Sequence, residues 1–188
     1  TALLGEFAGS LITDRWTGYS WWPLERRQLC WAHLLRDFQK IAERGGASQR
    51  IGEGLLEQTR KLFELWHRVR DGTLTRAGFA AAVVEIRAEV QQWLAAGVAY
   101  EAARGDKSAR ARTARTCREW LKVEPALWLF VRVAGVEPTN NAAERALRPA
   151  VIWRRTSFGT QSALGSQFVA RMLTVTLTLR AQQRPVLE

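Results

Sequence analysis

Two carboxylates in this sequence stand where chemistry could use them. Asp14 closes SLITD, a brief apolar run that reads as a strand, and Glu144 lies in TNNAAERALRPA behind Asn140 and Asn141. On a helix those two Asn would sit at i−4 and i−3, on the face of the Glu. A hard cation such as Mg²⁺ takes oxygen ligands in octahedral geometry, with phosphate and water completing what carboxylates begin. Two such ions roughly 4 Å apart can drive hydrolysis or transesterification of a phosphodiester, one activating the attacking hydroxyl and the other stabilising the leaving oxygen. Two carboxylates are the minimum for that work, and three are usual. The plainer role of a first-turn Glu is to complement the positive end of the helix dipole.

Cys30 and His33 form a C-x-x-H pair that could begin a zinc site. A tetrahedral structural site needs four ligands, and the remaining soft ligands, His67 and Cys117, stand alone in the sequence. The rival arrangement is a buried Cys with His33 hydrogen-bonded at a strand-to-helix junction. Nine Trp are present, and Trp16, Trp21 and Trp22 crowd the loop after Asp14. Beside a phosphate-processing site, aromatic faces can stack bases at about 1–3 kcal/mol each, although most Trp serve packing. No nucleophile elbow, P-loop or dinucleotide fingerprint occurs.

The elements that must position these groups can be read from periodicity. SLITD and RQLC read as short strands flanking a loop, RWTGYSWWP, that Gly18 and Pro23 mark. LLGEFAG reads as the close of a short helix stopped at Gly9. Trp31, Leu34, Leu35, Phe38 and Ile41 recur at helical spacing until Gly45-Gly46. Two long amphipathic stripes follow, Leu55 to Val69 and Phe79 to Leu94, divided by a turn at DGTLT. Thr139 reads as an N-cap for the Glu144 helix, and Pro149 as its end or kink. Ser166 to Gln182 is expected to form a last helix, against which Thr174, Thr176 and Thr178 argue for strand.

Composition sets the partner. The 188 residues carry 28 Lys and Arg against 18 Asp and Glu, a formal charge of +10, which favours a polyanion such as nucleic acid. Half of that excess lies between Arg104 and Lys122, where Arg104, Lys107, Arg115, Arg118 and Lys122 recur at spacings that could make one basic helix face along phosphates. A merely solvated face is the alternative. Two widely separated Cys imply no disulfide framework and suit a reducing cytosol. Neither an apolar run of membrane-spanning length nor a signal-peptide pattern is present.

Three stretches, LITDRWTGY, LCWAHLLRDF and GVEPTNNAAERALRPAVIWRRTSFGTQSALGSQF, resemble the insertion-sequence DDE transposases of the sixty-six type over nearly the whole chain. The resemblance implies an α+β, mostly helical fold: a partial ribonuclease-H-like core in residues 1–42, an all-α insertion in 43–135, and returning core helices in 136–188. It places Asp14 on the second Asp of the family's triad and Glu144 on its Glu. Cys30 and His33 match an element that supports the active site, with Asn140 and Asn141 orienting the Glu. Mg²⁺ or Mn²⁺ is the implied cofactor, two ions in a complete site, with Asp14 and Glu144 as metal ligands.

Arg145, Arg148, Arg154 and Arg155 would then neutralise DNA phosphates, joined by Arg115 and Arg118. The implied partner is DNA, at element ends and target, bound by a homo-oligomer in the bacterial cytoplasm at the nucleoid, with no membrane. No Asp precedes Asp14, the chain opens on Thr1 and its sole Met is Met172. We therefore expect an N-terminally truncated fragment, catalytically inactive alone, with a two-stranded sheet whose edge lies open. The alternatives are a non-enzymatic basic helical DNA-binding or regulatory remnant, and a zinc-stabilised domain built on Cys30 and His33.

Overall fold

A computed structural model describes residues 5–186. They divide into two compact units, one up to Asn140 and one from Asn141 onward. The fold is α+β and mostly helical, with seven α-helices and two strands among the described residues. The helix expected at LLGEFAG begins outside the described residues, and its described part is a turn at Gly5 and Glu6.

In the first unit, β1 (Leu11–Thr13) and β2 (Arg27–Leu29) pair in parallel with Ile12 opposite Gln28. Parallel strands require a crossover of about a dozen residues or more, and here it is a loop with 3-10 turns at Thr17–Tyr19 and Leu24–Arg26. The expectation of an exposed sheet edge does not hold for β2, because all three of its residues are buried. The Gln28 amide donates to the carbonyls of Leu29 (2.7 Å) and Leu127 (2.9 Å), and its oxygen accepts the Phe130 N–H at 2.9 Å. A polar side chain thus ties β2 to the segment of the 3-10 turn Glu124–Leu127, with both ends satisfied as burial requires.

Helix α1 (Trp31–Ala42) buries Trp31, Leu34, Phe38 and Ile41, the face the periodicity marks. It packs on α2 (Gly46–Arg70), α2 on α3 (Arg76–Val98), and α3 on α4 (Ala109–Lys122). The short α5 (Leu129–Arg132) follows the 3-10 turn and adds Phe130, whose ring lies edge-on to Trp66 at 5.2 Å. Arg87 of α3 grips Glu124 with two 2.8 Å bonds, and Glu124 also accepts the Trp128 indole N–H at 2.6 Å. The layers meet closely enough to exclude side chains. A Cβ on Gly52 of α2 would lie 2.2 Å from the backbone nitrogen of Ala42.

The basic helix differs from expectation at its start. Ser108 caps α4 by accepting the Ala111 N–H at 3.1 Å, so Arg104 and Lys107 precede the helix. Gly105, at φ +85°, and Asp106, which accepts the Ser108 N–H at 2.7 Å, turn the chain before it can begin. Arg115, Arg118 and Lys122 remain as an exposed strip on α4.

The second unit is two helices, α6 (Asn141–Thr156) and α7 (Ala163–Ala181). Asn140, rather than Thr139, immediately precedes α6, so Asn140 is not on the helical face of Glu144. Pro149 neither ends nor divides the helix. A proline forfeits one backbone bond, and α6 continues for two further turns. Segment 163–181 is helix and not strand, because the Thr174 and Thr176 hydroxyls bond back to the carbonyls of Ala170 and Met172 at 2.8 Å, satisfying themselves within the helix. Neither helix has a buried residue, and Trp153, Phe168 and Met172 line an apolar groove of about 300 Å³.

Candidate active site

Asp14 leaves the C-terminal end of β1, where the ladder stops and the backbone turns away. Its carboxylate accepts the Trp16 N–H at 3.0 Å through Oδ1, a local turn that fixes the side chain's direction. Its backbone carbonyl accepts both the Thr13 hydroxyl (2.8 Å) and Nη2 of Arg27 (2.9 Å). Arg27 completes the strap by donating Nε to Thr13 Oγ1 at 2.8 Å and Nη1 to the Tyr19 carbonyl at 3.2 Å. Its side chain is buried, and that desolvation lowers its pKa while the charge of Asp14 opposes the shift. Sequence reasoning passed over Arg27. The signal was a cation inside RQLC, a run otherwise fit for a buried strand.

Cys30 follows β2 and extends the ladder, its N–H reaching the Thr13 carbonyl at 2.8 Å. It is buried, and the segment before α6 docks against it. The Trp31 N–H donates to the Pro138 carbonyl at 2.9 Å, and the Asn140 N–H lies 3.5 Å from Cys30 Sγ. The structure therefore gathers the Asp14 strand end, Cys30 and Asn140, residues scattered over most of the sequence. His33 sits in the first turn of α1, its N–H on the Cys30 carbonyl at 3.1 Å. The side-chain oxygen of Asn140 is buried and makes no hydrogen bond among the described residues.

Asn141, Glu144, Arg145, Arg148, Arg154 and Arg155 all belong to α6 and are exposed. Glu144 occupies the first turn, where the helix dipole favours a carboxylate. Arg148 and Arg155, one and three turns further on, share its face. Arg115 and Arg118 are exposed on α4 of the first unit, with Arg115 Nη1 donating to the Asp106 carbonyl at 2.9 Å.

Among the described residues no group of three or more His, Cys, Asp and Glu gathers as a metal site. The four-ligand zinc alternative is therefore not formed there. Cys117 lies instead against Gly97 of α3, where a Cβ would meet its sulfur, and burial pushes its thiol pKa up to about 11. His67 lies edge-on to Phe63 at 6.4 Å. The Asp14 carboxylate has the hard-oxygen chemistry that Mg²⁺ prefers, with one oxygen engaged by a backbone N–H, so it fits a single ligand of such an ion. No described helix is long and apolar enough to cross a membrane.

The model of the family described as "Transposase IS66 family" matches residues 1–167. A curated relative from Sinorhizobium fredii (strain NBRC 101917 / NGR234), "Uncharacterized protein y4qI", is 29% identical over 189 residues, covering 94% of this chain and 34% of that protein. The chain thus spans about a third of the length of that relative. No solved structure matches the chain.

Proposed function

Because the chain belongs to the Transposase IS66 family, we propose that it carries part of the machinery with which a longer transposase cuts DNA at the ends of its insertion sequence. The freed 3′-hydroxyls are then joined to target DNA. The observation that carries this reading is the fixed position of Asp14. One buried guanidinium holds its backbone carbonyl at the end of a strand while also bonding the Thr13 hydroxyl and the Tyr19 carbonyl, and a strand end is where a ribonuclease-H-like core presents a metal-binding carboxylate. In this proposal residues 1–42 and 136–188 belong to that core, and 43–135 are its helical insertion.

Asp14 and Glu144 would hold Mg²⁺ or Mn²⁺, which when bound polarises phosphate oxygens and activates a hydroxyl. Cys30 and His33 shape the turn that follows β2, and Asn140 and Asn141 lead the chain into the helix of Glu144. Arg145, Arg148, Arg154 and Arg155 would neutralise phosphates, each contact steepening the fall of affinity with salt by a slope of about 0.9. No Asp precedes Asp14 in this sequence, and the 188-residue chain by itself is expected not to transfer strands. The working assembly would be a homo-oligomer on DNA.

The test is Mn²⁺ binding by calorimetry together with DNA binding by fluorescence anisotropy. Asp14→Asn and Glu144→Gln should each abolish or weaken Mn²⁺ binding at least tenfold, while metal-free DNA binding stays salt-sensitive and unchanged. If Mn²⁺ binding survives both substitutions, the carboxylate reading is lost. The exposed strip Arg115, Arg118 and Lys122 on α4 then favours the second reading, a basic DNA-binding protein without catalysis.

A further inference from the structure

Beside Asp14 the first unit contains a cavity of about 440 Å³, bordered by Arg15, Trp16, Ser20, Arg27, Glu119 and Lys122. That volume falls within the range of small-ligand pockets, roughly 300–1,000 Å³. Its charge is positive, three cations against the single carboxylate of Glu119. Arg15 is held rather than free to sweep: its guanidinium lies 4.6 Å over the ring of the buried Trp120 and 3.6 Å from Asp37. Lys122 is held at 2.6 Å by Glu119 and stands at the end of the strip begun by Arg115 and Arg118. A chain of phosphates laid along α4 would therefore run into this cavity.

The remaining feature is aromatic. Trp16 is 63% exposed, an unusual position for a large indole. Its ring is nonetheless propped in place, edge-on to Tyr19 at 5.5 Å and directly above Gly18, where a Cβ would come within 2.3 Å of it. Gly18 is thus the residue that lets the indole fold down over the loop at the border of the cavity. A flat, open aromatic face next to anchored positive charge accepts a base on the ring and its phosphate on the cations. A paired base cannot use that face, because it is already stacked within the duplex.

We propose that this cavity takes one unpaired nucleotide of a DNA strand, its base stacked on Trp16 and its phosphate held by Arg15 and Lys122. The inference rests on the reading of this chain as a DNA-processing protein, and it adds a substrate feature to that reading. Unpairing next to Asp14 would hold a strand out of the helix close to the proposed metal-binding carboxylate. Arg27 borders the cavity but is committed to the Thr13 hydroxyl and two backbone carbonyls, so it contributes charge and not a contact.

The experiment compares binding of the 188-residue chain to a duplex and to the same duplex carrying one unpaired 2-aminopurine nucleotide, by anisotropy and by 2-aminopurine fluorescence. The wild-type chain should bind the unpaired form about tenfold more tightly and quench its fluorescence. Trp16→Ala should remove both the preference and the quench while leaving duplex affinity intact, and Trp16→Phe should keep part of each. Gly18→Ala, which displaces the ring without removing it, should also lose the preference. Arg15→Gln and Lys122→Gln should each weaken binding of the unpaired form and lower its salt dependence. Equal affinity of the wild-type chain for the two DNAs, or a preference that survives Trp16→Ala, overturns the inference alone. Failure to bind either DNA overturns the DNA-processing reading with it.

Discussion

Arg27 donates Nη2 to the backbone carbonyl of Asp14 at 2.9 Å while its Nε holds Thr13 Oγ1 at 2.8 Å, so one side chain from β2 fixes the end of β1. A guanidinium can do this because its donors form a rigid planar fork, whereas an ammonium offers a point charge that serves one direction well. Arg27→Lys should therefore keep the charge and lose most of the strap. We expect about 1.5–3 kcal/mol of lost stability, the scale of buried hydrogen bonds to a charged group. The check is a lowered urea midpoint at unchanged denaturant slope. A midpoint equal to that of the wild type would mean that the strap does not hold the strand end.

Gln28 plays the matching role on the other side of β2. Its amide is the link to the Leu127 carbonyl and the Phe130 N–H, both buried. The Leu127 carbonyl keeps a second donor, the Trp31 indole N–H at 2.8 Å. Gln28→Leu would thus take the Gln28 bond from the Phe130 N–H and from the Leu29 carbonyl, at a cost of about 1–3 kcal/mol for the donor left without its partner. Hydrogen exchange locates the effect. Faster exchange at Phe130 than at the interior of α2 is expected, and uniform acceleration across the chain would contradict this local account.

Much of this arrangement was legible in the sequence, and the exceptions have physical causes. The apolar spacing of Trp31, Leu34, Phe38 and Ile41 located α1 because one helical face carries its burial. SLITD and RQLC located the strands, and DGTLT the turn between α2 and α3. Arg27 and Gln28 escaped notice because most of their partners lie more than a dozen residues away, which periodicity does not register. Pro149 misled for the opposite reason: local propensity spoke against continuing the helix there, and α6 continues regardless. The last helix, expected from its amphipathic spacing, forms in spite of its Thr residues. At the site, sequence alone placed Cys30 after the Asp14 strand but could not show that Asn140 docks on its sulfur. The cavity behind Trp16 joins a loop to α4 across about a hundred positions, and its closest sequence trace was the crowd of Trp after Asp14.

Cys117 makes stability depend on alkaline pH. Its thiol is buried against Gly97, and desolvation raises its pKa from 9.0 to about 11, with the nearby Arg44 opposing. Between those values the unfolded chain releases a proton that the folded chain retains, so stability falls as pH rises through that window. Below pH 9 the thiol is protonated in both states and contributes no slope. The loss should approach about 2–3 kcal/mol by pH 11, since one unit corresponds to about 1.4 kcal/mol. Comparing urea midpoints of wild type and Cys117→Ala at several pH values isolates it, because other alkaline titrations are common to both. Parallel pH profiles for the two proteins would show that the thiol is not the source.

Glycine 52 sets how closely α1 and α2 approach. A Cβ at that position would lie 2.2 Å from the Ala42 nitrogen and 2.6 Å from its Cα, backbone atoms that cannot rotate away. Gly52→Ala gains up to about 1 kcal/mol of helix propensity and must separate two packed helices. Overpacking of a core costs about 1–3 kcal/mol, so the net change should be destabilising. Gly78, in the first turn of α3, supplies the contrast. There a Cβ meets only Leu74 Cδ1 and Thr75 Oγ1, each at 3.2 Å, and Leu74 can move aside. Gly78→Ala should consequently be neutral or mildly stabilising, although the same propensity gain operates at both sites. Thermal melts of the two variants decide between packing and propensity: a Gly52→Ala chain as stable as Gly78→Ala would show that the helices can part at no cost.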